Sequence, residues 1–161
     1  MADSAAPAQG GYRLLAQILA SYLASTDQPQ KVAEGAGRAW GRYLTEKAQP
    51  FAEISASEAT GKIVVLFTEL GFMPEAVEEA NETKVLLHRC PFREVAESNQ
   101  EVVCSVHLGM LRGALAEMGA PMEAVGLEPF VEPTLCVAHL RDLPRPTRGS
   151  MARAGKGSAV A

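Results

Sequence analysis

Every cysteine in this chain has a histidine within three residues. His88 precedes Cys90 as H-x-C, Cys104 precedes His107 as C-x-x-H, and Cys136 precedes His139 as C-x-x-H. The 161 residues hold no other cysteine or histidine. Thiolate sulfur and imidazole nitrogen are the donors that hold zinc, copper and iron–sulfur clusters. Concentrating all of them in three short clusters points to a metal- or cluster-bearing site. The competing reading is three reduced cysteines in an apolar core, where free cysteine commonly sits.

The spacing, C-x13-C-x31-C, is unlike the tight C-x2-C of zinc fingers and ribbons and suits thiolates converging from separate elements. The expected ligands are Cys90, Cys104 and Cys136. Three thiolates leave one tetrahedral position open, for which His107 is the candidate beside His88, a carboxylate, water or an outside ligand. On a helix, Cys104 and His107 stand at i and i+3 and share a face with Leu108 and Leu111. On a strand reaching Pro91, His88 and Cys90 share a face. Cys136 and His139 differ in parity, so they face opposite sides, which makes His139 the weakest ligand of the set. Around the Cys/His pairs there is no third orienting residue, no oxyanion motif and no nucleophile elbow. Catalysis is not expected.

The elements that must position these residues read as follows. Residues 1–10 are small and polar and read as disordered; residues 11–143 form one domain; residues 144–161 are a Pro/Gly/Ser-rich disordered tail. A first helix runs from about Tyr12 to Ser25, with Tyr12, Leu15, Ile18, Leu19, Tyr22 and Leu23 on one stripe. That stripe suits either dimer packing or burial within one chain. A second helix, from about Gln30 to Lys47, carries Gly35, Gly37 and Gly41, each about 1 kcal/mol worse than Ala in a helix. Close approach of another helix would explain them. Ser55-x-x-Glu58 is a capping box for a helix from Ala56 to Leu70, closed by Gly71. Met73 to Thr83 is an acidic connection with a candidate edge strand, and Lys84 to Cys90 alternates as a strand. Pro91 to Glu97 and Glu101 to Met118 read as two helices. Met122 to Glu128 and Thr134 to Leu140 read as strands. The fold class is α+β, helices packed against a small, mainly antiparallel sheet.

Apolar content of 47% with 21% charged is that of a soluble globular domain. The tail carries Arg145, Arg148, Arg153 and Lys156 without an acid, so a net charge of −4 leaves −8 on the first 143 residues. An acidic body lacks the electrostatic footprint of a nucleic-acid binder. No stretch is long enough to span a membrane, and the N-terminus has no signal-peptide pattern. Three cysteines in apolar segments favour a reducing cytoplasm.

Cys90-Pro91-Phe92, the run from Glu101 to Leu115 (EVVCSVHLGMLRGAL) and the run from Leu127 to Cys136 (LEPFVEPTLC) resemble a known family. It is the C-terminal effector domain of ArsR/DeoR-like winged-helix bacterial transcriptional regulators, including the iron–sulfur-sensing repressors of the Suf operon. The resemblance covers residues 11–142. It implies an iron–sulfur cluster on Cys90, Cys104 and Cys136, a homodimer, and DNA contacted only through a winged-helix module absent from this chain. The alternative expectation is a zinc-stabilised or metal-free small-molecule-binding domain without catalysis.

Overall fold

The computed structural model describes residues 6–144. Four helices and four strands follow in the order α1 (Ala6–Ala24), α2 (Pro29–Tyr43), α3 (Ala56–Glu69), β1 (Pro74–Glu78), β2 (Glu82–Leu87), α4 (Arg93–Glu117), β3 (Met122–Glu132), β4 (Leu135–Asp142). The strands form one sheet in the order β1-β2-β4-β3, every neighbouring pair antiparallel. The chain has an α+β fold, as expected. Among the described residues no helix is long and apolar enough to cross a membrane.

Local chemistry sets most boundaries. Ser55 Oγ accepts from the Glu58 N–H at 3.1 Å and a Glu58 carboxylate oxygen accepts from the Ser55 N–H at 2.9 Å, so the capping box forms in full. Helix α3 ends where Gly71 turns left-handed at φ +93°. There the Phe72 N–H reaches the Phe67 carbonyl at 3.0 Å, and the two rings pack with centroids 5.0 Å apart. This is a Schellman ending with its apolar contact. Helix α4 closes the same way at Gly119, with φ +65° and the Ala120 N–H on the Leu115 carbonyl.

Two boundaries differ from expectation. Helix α1 begins at Ala6, inside the segment expected to be disordered. The connection expected after Glu128 belongs to β3, which absorbs it through a register shift between Glu128 and Glu132. The two helices expected around residues 91–118 are both present within the span of α4 and meet at a kink, where Asn99 leaves helical geometry (φ −137°, ψ 48°). The expectation for the basic tail falls on residues outside those described, apart from Pro144.

The sheet is covered on one face by α3 and α4. Its inward residues, Val85, Leu87, Cys136, Ala138, Leu140, Met122 and Ala124, meet Ile63, Phe67, Leu111 and Leu115 in the main core. Helix α2 seats on the far side of α4 through interlocked glycines. A Cβ on Gly37 would lie 2.1 Å from the Val106 carbonyl oxygen, and one on Gly41 would lie 2.2 Å from that of Met110. In the other direction, a Cβ on Gly109 would lie 2.1 Å from the Glu34 oxygen and one on Gly113 2.1 Å from the Arg38 oxygen. Backbone meets backbone over two helical turns, so no side chain fits between. Gly35 takes no part and faces open space.

The three glycines of α2 are therefore expected to separate in urea denaturation. Gly37→Ala, like Gly109→Ala, is expected to lose roughly 3 kcal/mol or more through backbone overlap. Gly35→Ala is expected to gain up to about 1 kcal/mol from helix propensity alone. Equal stability of Gly37→Ala and the parent would contradict the interlock.

Candidate functional site

The three thiols come from separate elements and reach one neighbourhood. Cys136 faces inward from β4, opposite Leu87, and is buried. Cys104 lies on α4 and Cys90 in the segment after β2, both half-buried. Burial, with smaller contributions from charge on Cys136 and then Cys90, raises the Cys104 pKa to about 12. Burial also raises Cys90, opposed by the Phe92 backbone N–H that hydrogen-bonds it, with Cys136 adding a smaller upward push. Cys136 Sγ accepts the Phe130 N–H at 3.3 Å. That bond supports Phe130 in a left-handed backbone, φ 46°, which favours glycine.

The histidines disperse. His107 is 1% exposed, its ring edge-on to Phe72 at 5.0 Å and tilted over Phe92 at 5.5 Å. Its Nε2 has no hydrogen-bond partner, and burial lowers its pKa to about 4. It is a neutral ring inside an aromatic contact. His88 lies past the end of β2, so it does not share a strand face with Cys90; its Nε2 meets Glu75 at 2.8 Å on the surface. His139 points to the outer face of the sheet, opposite to Cys136, as its parity implies. Its Nδ1 meets Glu82 at 2.6 Å and its Nε2 meets Glu128 at 2.9 Å. Strand parity alone predicts the outward placement of His139, whereas its carboxylate partners lie 57 and 11 residues away along the chain.

Among the described residues no group of three or more His, Cys, Asp or Glu side chains is placed to hold a metal ion, which leaves the iron–sulfur expectation without support. His107 is packed against the rings of Phe72 and Phe92.

A second feature is the outer face of α1. Its inward side is made of small or partly covered residues, Ala20 and Leu23, packed with Val95, Ala96, Val102 and Val103. Arg13 ties it to Glu94 of α4 at 2.6 Å. The apolar stripe turns the other way. Tyr12, Leu15, Ile18, Leu19 and Tyr22 are all exposed, Leu15 least at 51%. Of the six stripe residues only Leu23 turns inward, so burial within one chain does not account for the stripe.

The chain is similar to a trafficking protein particle complex subunit 3 from Naegleria fowleri, solved with palmitic acid covalently bound. The identity is 14%, the match covers 82% of this chain and 97% of that one, and the TM-score is 0.46. No protein-family model matches the chain, and no curated protein does. The expected membership among winged-helix regulators is corrected on the absence of any matching family model, theirs included. Transcription regulation, an iron–sulfur sensor and a DNA partner are left without support, as are the zinc-stabilised and small-molecule alternatives. Physically, the strings that carried the resemblance are used for packing. Gly109 seats α2, Leu111 and Leu115 fill the core, and Phe92 covers His107.

A buried neutral histidine makes folding sensitive to acid. Below pH 6.5 the unfolded chain takes a proton that native His107 refuses until about pH 4. Stability is thus complete above pH 6.5 and falls as pH drops through that window, by roughly 3 kcal/mol for this group. Urea unfolding at pH 7 and pH 4 is expected to show that excess loss in the parent relative to His107→Leu. Equal losses in the two proteins would contradict it.

Proposed function

We propose that this chain is a non-catalytic assembly module that pairs with a second copy of itself through the outward stripe of α1. The observation that carries this is an exposed apolar face on a 19-residue helix. Tyr12, Leu14, Leu15, Ile18, Leu19 and Tyr22 are each more than half exposed and make one contiguous apolar patch. Contiguous exposed apolar patches mark interaction surfaces.

The pattern of the stripe selects the occupant. Tyr12, Leu15, Leu19 and Tyr22 follow the three-four-three spacing of a helix–helix seam. Read from either end the order is Tyr-Leu-Leu-Tyr, so an antiparallel copy about a two-fold axis sets Tyr12 against Tyr22 and Leu15 against Leu19. A two-fold interface requires such self-complementarity. The only charged residue described on α1 is Arg13, already paired with Glu94, so like charges do not oppose the approach. Antiparallel helices also place opposite dipole ends side by side. The unpaired state of Cys90, Cys104 and Cys136 supports a reducing cytoplasm as the setting.

Sedimentation equilibrium tests the pairing. The parent is expected to approach twice the 17.1 kDa of one chain at micromolar concentration. Leu15→Glu with Leu19→Glu, which brings carboxylates together at the two-fold, is expected to weaken the dimer at least about 30-fold. Both side chains are exposed, so the helical signal of the variant should match the parent at equal monomer content. A parent that stays monomeric at hundreds of micromolar, or a dimer indifferent to both substitutions, would overturn the proposal.

A further inference from the structure

His139 stands in the middle of the sheet's outer face with a carboxylate on each ring nitrogen. Glu82 reaches Nδ1 from β2 at 2.6 Å, and Glu128 reaches Nε2 from β3 at 2.9 Å. A neutral imidazole has one N–H and one lone pair, so it can donate to only one of them. Only the imidazolium satisfies both. We propose that His139 is a proton-operated clamp that ties β2 to β3 across β4 and lets go of Glu128 when its ring becomes neutral.

Glu128 is the partner to be released because it is the more exposed, 62% against 37% for the Glu82 side chain, and so is rehydrated more readily. Its release matters because of where it sits. Glu128 pairs with Val137, and the next pairing, Glu132 with Leu135, comes only after a register shift. Between them lie Pro129, Phe130 and Val131, on the edge strand of the sheet. Phe130 packs against both core clusters and is held left-handed with its N–H on Cys136. The Glu128–His139 bond is a side-chain tie at the near end of this irregular stretch. Across from His139, Gly126 presents no side chain to replace it.

The other charges on this face do not reverse the balance. Lys84 of β2 is opposite His139 in register but is held by Glu79 at 2.9 Å. Arg141 of β4 lies beside Glu82 and is paired in register with both Glu82 and Glu123. The helices pack on the opposite face. Hydrogen bonds donated by the ring to Glu128 and then to Glu82 raise the His139 pKa above its usual 6.5. The hydrogen bond from His139 lowers the Glu82 carboxyl below 4.5. With the imidazolium favoured in the folded state, the stabilisation is complete below pH 6.5 and is lost as pH rises through the raised value. At the acid end it fades as pH falls through the depressed Glu82 value.

Proton NMR titration of the full chain, combined with amide exchange protection corrected for intrinsic rates, tests the clamp. The His139 ring is expected to titrate above 6.5. Protection at residues 130–132 is expected to fall through the same midpoint, by up to about tenfold for each unit separating it from 6.5. Glu128→Gln, which keeps an acceptor but no charge, is expected to move midpoint and protection step together to lower pH. His139→Gln is expected to have no step. A His139 midpoint at or below 6.5, or protection that stays level through the midpoint, would overturn the proposal.

Discussion

The contact on which the rest of the molecule depends is the seat of α2 on α4. Gly37 and Gly41 leave room for the carbonyls of Val106 and Met110, and Gly109 and Gly113 do the same for those of Glu34 and Arg38. Each glycine weakens its own helix in isolation, yet any larger residue would push the two backbones apart. Because the approach is so close, α4 is enclosed by α2 on one side and by the sheet on the other. Arg112 reinforces the arrangement by reaching Glu34 at 2.7 Å and the Ala124 carbonyl at 2.9 Å, which links α4 to α2 and to β3.

That enclosure decides what happens to the other elements. With α2 on much of its length, α4 leaves α1 a site lined by Val95, Ala96, Val102 and Val103. Helix α1 meets it with Ala20 and Leu23, and its larger apolar side chains face away. The same enclosure sets the chemistry of the donors on α4. Cys104 and His107 are held in a low-dielectric layer where the neutral thiol and neutral imidazole are favoured.

Much of the architecture was legible in the sequence where a local interaction fixed it. Ser55 and Glu58 cap one another within three residues, and Gly71 ends its helix through its own backbone freedom. The opposite facing of Cys136 and His139 followed from strand parity. Periodicity identified the stripe of α1 without revealing whether it faced the core or solvent, because that depends on which helix already occupied α4. Likewise the sequence suggested close helix approach at Gly35, Gly37 and Gly41, but only the packed pair distinguishes the first from the other two. At Cys90, Cys104 and Cys136 donor identity is local to the sequence, whereas burial and protonation depend on the packed chain.

In the proposed dimer the outward face of α1 meets its own copy in antiparallel register. Isotope-filtered NOE measurement on an equal mixture of labelled and unlabelled chains tests this most directly, since only contacts between copies give a signal. Cross-copy contacts are expected from the Tyr12 ring to the Tyr22 ring and from Leu15 methyls to Leu19 methyls. Cross-copy contacts confined to another surface, or none from these four residues at millimolar concentration, would contradict it.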